Sequence, residues 1–254
     1  MERCFFLIRF LTVVLLTRYG VILMAFVAGA LVMALVLYAG TTQAAKVERG
    51  GENLYATRGL EYCHIDYDGV FCSQEFRTTL KIIPHWSRVL ASAKGQIEAF
   101  YNCQENCSLT ALNWQKIIRQ SQDLPRLEQL KNVNCFFNRW PYRLDIDVYG
   151  VSDFWATPDE FMLLSGDCED YSITKYYALR ELGFAIDDMR IVLIKDNIRN
   201  ISHAVLSVKL GEEIYILDNL TDMLLSHLKY EHYVPQYSFN EFYSWIYVSP
   251  ISMH

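Results

Sequence analysis

Cys168 stands in Gly166-Asp167-Cys168-Glu169-Asp170-Tyr171, at the head of a helical run that ends at Gly183. Asp167 is suited to cap that helix, which puts Cys168 in its first turn. There the positive end of the helix dipole lowers a thiol's pKa toward the reactive thiolate. Taken alone, a cysteine in such a place is as well explained as a small buried residue. A nucleophile also needs a base, and the base needs a group that orients it. His203 sits in Ile201-Ser202-His203-Ala204-Val205-Leu206-Ser207-Val208, whose alternation puts His203, Val205 and Ser207 on one face of a strand. Asp218 closes the next strand-like run, Ile214-Tyr215-Ile216-Leu217-Asp218. A Leu210-Gly211 turn would set His203 directly opposite Asp218. A Gly211-Glu212 turn would shift the pairing by two and leave them diagonal on one face, and a three-residue loop would put them on opposite faces. Cys168, His203 and Asp218 are therefore the candidate nucleophile, general base and orienting carboxylate. The chemistry is acyl transfer through a thioester, with the Cys168 N–H and a second donor on the oxyanion. The Trp155 region is a candidate for that donor or for the groove wall, and a core aromatic is the alternative.

Asp167, Glu169 and Asp170 crowd the cysteine, and like charge raises a thiol's pKa. Three arrangements relieve this. The carboxylates can cap the helix, with Asp170 at its third position. They can pair with Lys175 or Arg180. Or they can bind a hard cation such as Ca²⁺, which takes carboxylate oxygens of this kind.

The elements that must hold these residues are legible as periods. Leu80, Ile83, Trp86, Leu90, Ala93, Ile97 and Phe100 recur at helical steps from Arg77 on, and Pro84 moves the start of the helix proper to just after Ile83. Leu112 to Gln120 and Arg126 to Phe137 read as further helices, whereas Asp145 to Ser152 is mixed. Thr157-Pro158-Asp159-Glu160 reads as a capping box with proline at the first helical position. The helix from Cys168 to Leu182 follows. Met189 to Lys195, His203 to Lys209 and Ile214 to Asp218 read as strands, and Tyr237 to Ile246 as a last short helix or strand. Helices followed by an antiparallel sheet give an α+β fold.

The N-terminal segment is separate. Val21 to Ala39 is uncharged and close to the roughly 20 residues of a membrane span. Thr41-Thr42-Gln43-Ala44-Ala45 resembles a signal-peptidase site. Residues 1–45 are thus expected to be an export signal or an anchor (Met24 being an alternative start), and residues 46–254 the exported domain. The segment holds three basic residues and one acidic one, so its removal takes the formal charge from −6 to −8. No basic footprint for nucleic acid remains. In an oxidising compartment Cys63 with Cys72, and Cys103 with Cys107, are close enough to pair, a zinc site being the rival. Cys135 and Cys168 are left over.

Asp153-Phe154-Trp155-Ala156-Thr157-Pro158-Asp159-Glu160-Phe161, the Gly166–Tyr171 block with Lys175-Tyr176, His203-Ala204-Val205 and Leu217-Asp218-Asn219 together resemble the bacterial transglutaminase-like cysteine peptidases of the LapG type. Asn138-Arg139, Tyr149-Gly150 and Phe239-Asn240 extend the likeness over about Val133 to Trp245. The resemblance implies a papain-like or transglutaminase-like core. It implies Cys168, His203 and Asp218 as the catalytic triad and a calcium site at Asp167, Glu169 and Asp170. It further implies a periplasmic endopeptidase, soluble or tethered by residues 20–39. Such an enzyme cuts a large surface adhesin at a dialanine site, disperses biofilm, and is restrained by an inner-membrane cyclic-di-GMP receptor. A transglutaminase or amidase with the same triad, and a non-catalytic calcium-binding protein of the same fold, are the alternatives.

Overall fold

Alternating apolar side chains in the C-terminal half build a single antiparallel sheet that the helices before it cover. A computed structural model of the chain describes residues 69–79 and 83–248. The expected leader or anchor, the segment up to residue 68 and Cys63 lie outside the described residues. Among the described residues, no helix is long and apolar enough to cross a membrane.

The strands are β1 (Gln74–Thr79), β2 (Met189–Asp196), β3 (Ile201–Leu210), β4 (Glu213–Asp218), β5 (Thr221–Ser226), β6 (Tyr233–Phe239) and β7 (Tyr243–Val248). They lie in the order β1-β7-β6-β2-β3-β4-β5. One face presents Ile191, Leu206, Val208, Leu217 and Phe239 to the helices. The other gathers Val192, Ile194, Val205, Ile216, Trp245 and Tyr247 around Tyr230 and Tyr233.

The helices are α1 (Pro84–Asn102), α2 (Leu109–Ser121), α3 (Arg126–Phe137), α4 (Asp145–Val148), α5 (Pro158–Leu164) and α6 (Cys168–Glu181). The predicted helix starts at Pro84 and Pro158 hold, because proline is tolerated where the first N–H groups lack partners anyway. Helix α6 is central. Every side chain from Asp170 to Leu179 is buried, between α3 and the β2–β3 part of the sheet. Gly183, at φ +80°, ends it in the left-handed region, as its position predicts. The Cys103–Cys107 disulfide lies in the connection between α1 and α2. Cys72 is also disulfide-bonded.

Three readings of the sequence change. The run from Arg77 does not begin a helix: Arg77 belongs to β1, whose partner β7 comes from the far end of the chain. Tyr237 to Ile246 is two strands, not one element. Asn240 turns the chain there, its Oδ1 accepting the N–H groups of Phe242 and Tyr243 at 2.9 and 2.8 Å. The mixed Asp145 segment forms the single helical turn α4.

Candidate active site

The nucleophile candidate is placed by a chain of local constraints. Helix α5 opens with the Thr157–Glu160 capping box and ends at Ser165, at φ +68°. Gly166 then bridges to Tyr142, and its carbonyl accepts the Arg143 N–H at 2.9 Å. The Asp170 carboxylate folds back over this turn. Its Oδ2 accepts the Asp167 N–H at 3.1 Å and its Oδ1 the Ala156 N–H at 2.6 Å. A Cβ on residue 166 would sit 1.9 Å from Asp170 Oδ2, so only glycine fits.

Cys168 is the first residue of α6, as expected. Its Sγ donates to Glu169 Oε2 at 3.1 Å. The Ala204 N–H, next to His203 in β3, also acts on the sulfur. The helix dipole does not dominate here. Burial pushes the thiol's pKa well above its ordinary value, and Glu169 and Asp167 push it the same way; the Ala204 N–H only partly opposes them.

His203 and Asp218 meet. The turn between β3 and β4 is Gly211-Glu212, with Leu210 paired to Glu213, so the two are diagonal neighbours rather than direct partners. His203 Nε2 lies 2.9 Å from Asp218 Oδ1, with the residues 4% and 1% exposed. Asp218 Oδ1 also accepts the Leu220 N–H at 2.9 Å, and Oδ2 accepts the Tyr233 hydroxyl at 2.7 Å. Burial pushes this carboxyl up, but the bond to His203, the imidazole's charge and the other two donors outweigh it, and the net shift is downward. The arrangement fixes the ring through Nε2 and leaves Nδ1 as the nitrogen for a thiol's proton. Among the described residues the thiol's partner is Glu169 and not the ring, so reaction requires the sulfur to turn from one to the other. Tyr233, from β6, was not legible in the sequence, because nothing in its local pattern separates it from the other core tyrosines of that sheet.

The acidic flank gathers two further carboxylates. Asp145 comes within 4.8 Å, ligand atom to ligand atom, of Asp167 and Asp170 in one group of three, and of Asp153 and Glu169 in another. Asp145 is held by the Phe154 N–H at 2.6 Å. Burial, then Asp167 and Asp153, raise its pKa to about 6 against that N–H and His85. Burial and the neighbouring Glu169 and Asp153 raise Asp167. Asp145 Oδ1 and Asp167 Oδ1 are buried with no hydrogen-bond partner. Crowded carboxylates with unpartnered buried oxygens are the donor set of a hard cation. Asp167, Glu169, Asp145 and Asp153 fit such an ion. Asp170 stands beside them, but both of its oxygens already hold backbone N–H groups. The bases once open as partners for this flank go elsewhere: Lys175 to Asn134 and Arg180 to Glu241. Asp145 opens the single turn α4 and Asp153 lies in the irregular stretch between α4 and α5, with no spacing motif to mark them. Trp155 is a core residue, stacked on Phe239, and its Nε1 donates to Asp153 Oδ1 at 3.0 Å.

The family model described as bacterial transglutaminase-like cysteine proteinase matches residues 93–252, which include every residue of this site. The calcium-bound structure of Legionella pneumophila LapG is 32% identical to the chain, with a TM-score of 0.50, over 59% of this chain and 84% of that one. The EGTA-treated structure of the same protein is 32% identical, with a TM-score of 0.49, over 59% and 82%. No curated protein matches the chain in sequence.

Proposed function

The chain belongs to the bacterial transglutaminase-like cysteine proteinases and is a LapG-like cysteine peptidase; from that premise we propose that it is a calcium-dependent periplasmic endopeptidase working through Cys168, His203 and Asp218. The observation that carries the reading is the buried His203–Asp218 pair at 2.9 Å, one residue along β3 from the N–H that meets the Cys168 sulfur.

In this mechanism His203 Nδ1 takes the thiol proton, and Asp218, on Nε2, fixes the tautomer and the ring's orientation. The Cys168 sulfur attacks a peptide carbonyl. The Cys168 N–H, which has no intrahelical acceptor at the start of α6, is directed at the developing oxyanion. His203 gives its proton to the leaving amine, which departs and leaves a thioester. A water molecule, deprotonated by His203, then releases the acid. A calcium ion held by Asp145, Asp153, Asp167 and Glu169 would offset the negative field that, together with burial, holds the thiol protonated. The calcium-bound and EGTA-treated forms of the Legionella LapG support this use of the acidic cluster.

The family resemblance supports a large surface adhesin as substrate, cut at a dialanine site with dispersal of biofilm. It also supports an inner-membrane cyclic-di-GMP receptor as the restraining partner. The test is to incubate the purified protein with an adhesin fragment containing Ala-Ala and to map the products by mass spectrometry. Hydrolysis between the alanines, abolished by EGTA and restored by calcium, is expected. Unchanged cleavage in EGTA removes the calcium requirement. Incorporation of an added amine in place of hydrolysis makes the protein a transferase.

A further inference from the structure

Lys175 lies on α6 seven residues beyond Cys168, about 10 Å along the helix axis. It is fully buried, and burying an amine this way is unfavourable unless its contacts repay the lost hydration. Its Nζ donates to Asn134 Oδ1, on α3, at 2.8 Å. That bond settles which way the Asn134 amide faces, since an amine that donates needs the oxygen. The Asn134 Nδ2 is thereby aimed at the Thr221 carbonyl, at 2.9 Å. At the C-terminal cap of α3, one turn beyond Asn134, Asn138 Nδ2 stands 3.0 Å from both the Asp218 and the Thr221 carbonyls. These carbonyls bound the turn between β4 and β5. The β3–β4 ladder stops at Leu206–Leu217, and the β4–β5 register shifts between Ile216 and Asp218. Asp218 therefore sits where regular strand pairing gives out, and α3 supplies what the sheet does not.

We propose that Lys175, Asn134 and Asn138 form a buried brace that positions Asp218, and through it the His203 ring, relative to the nucleophile carried by the same helix as Lys175. The proposal rests on the triad reading above. Lys175 is a positioning residue, touching neither substrate nor the reacting atoms. One helix then carries the attacking sulfur at its start and, through two amides, the seat of the orienting carboxylate at its middle. The charged and titratable groups around Nζ are Asp218 on β4, Asp222 on β5, Cys135 on α3 and the Tyr171 ring on α6. The brace depends on a hydrogen bond that a neutral or a charged amine can donate.

The test is the rate of Cys168 alkylation by iodoacetamide across pH, in calcium-containing buffer, read by mass spectrometry of the peptide that carries Cys168. The full-length protein is compared with Lys175→Met, Asn138→Ala and His203→Ala. Lys175→Met and Asn138→Ala are expected to slow alkylation by about ten- to a hundredfold, the scale of a misplaced catalytic group. They should also move the pH profile toward that of His203→Ala. A lowered melting temperature with an unchanged profile would make Lys175 a packing residue and overturn the proposal. Should Lys175→Met not fold, Asn138→Ala reads the same brace at its half-buried end, and an unchanged profile there overturns it equally. If His203→Ala itself leaves alkylation unchanged, the triad reading falls and takes the brace with it. If His203→Ala slows alkylation and the brace variants do not, the brace alone falls.

Discussion

Gly166→Ala should cost the protein far more than a surface glycine would. The added methyl meets Asp170 Oδ2 at 1.9 Å and its Cγ at 2.7 Å, and Asp170 itself is fully buried. The carboxylate must swing away and lose two bonds, to the Ala156 N–H at 2.6 Å and the Asp167 N–H at 3.1 Å. Burial pushes the Asp170 pKa well above its ordinary value, and an N–H that loses its acceptor inside the fold costs about 1–3 kcal/mol, so the loss is about 2–6 kcal/mol. For a domain of this size each kcal/mol moves Tm by about 2–4 °C, which predicts a fall of at least about 4 °C. The assay is a thermal melt of four proteins: wild type, Gly166→Ala, Asp170→Ala and the double variant. If the clash acts through Asp170, the double variant melts close to Asp170→Ala alone, because the second change removes the group that the first displaces. Additive losses, or a Gly166→Ala protein that melts with the wild type, would refute this account of the glycine.

Asp218→Ala should lower kcat more than Asp218→Asn, since asparagine keeps an oxygen for the imidazole while alanine leaves Nε2 and the Tyr233 hydroxyl buried and unpartnered; steady-state kinetics on the mapped substrate decide this. Calcium should raise the melting temperature of the wild type, and Asp145→Ala should shrink that rise, because the ion binds the folded carboxylate cluster; equal shifts in both proteins would exclude Asp145 as a ligand. Lys175 contributes a pH dependence whose sign is fixed. Burial lowers its pKa from 10.5 to about 7. Between those values the unfolded chain binds the extra proton, so stability rises with pH, by up to about 1.4 kcal/mol per unit. Urea melts from pH 7 to 10 should show this slope in the wild type and not in Lys175→Met.

What could be read in the sequence was whatever rests on local pattern. The capping box at Thr157–Glu160, the α6 start at Cys168 and its end at Gly183 are all set within a few residues, and all were legible. The pairing of His203 with Asp218 was legible because a two-residue turn allows only a few registers, and each two-residue register kept both on one face. What stayed hidden depends on distant partners. β1 forms because β7 offers it an edge some 165 residues later, against a helical period that starts within it. Asp145 and Asp153 join the acidic cluster only because the Tyr142–Gly166 bridge folds their segment back onto α6. The thiol's environment was misjudged for the same reason. A dipole argument sees one helix end, whereas the fold buries the thiol and keeps Glu169 and Asp167 beside it.

The proposed mechanism requires Cys168 to supply the nucleophile of a peptidase. The most direct measurement is a time course of cleavage of the Ala-Ala adhesin fragment in saturating calcium, by the wild type and by Cys168→Ala at matched concentration and matched fold. Product from the wild type and none from the alanine variant is expected, since the other free cysteine among the described residues, Cys135, lies on α3 with its thiol directed to the Asp222 carbonyl. Cleavage by Cys168→Ala at the same bond and a comparable rate would contradict it.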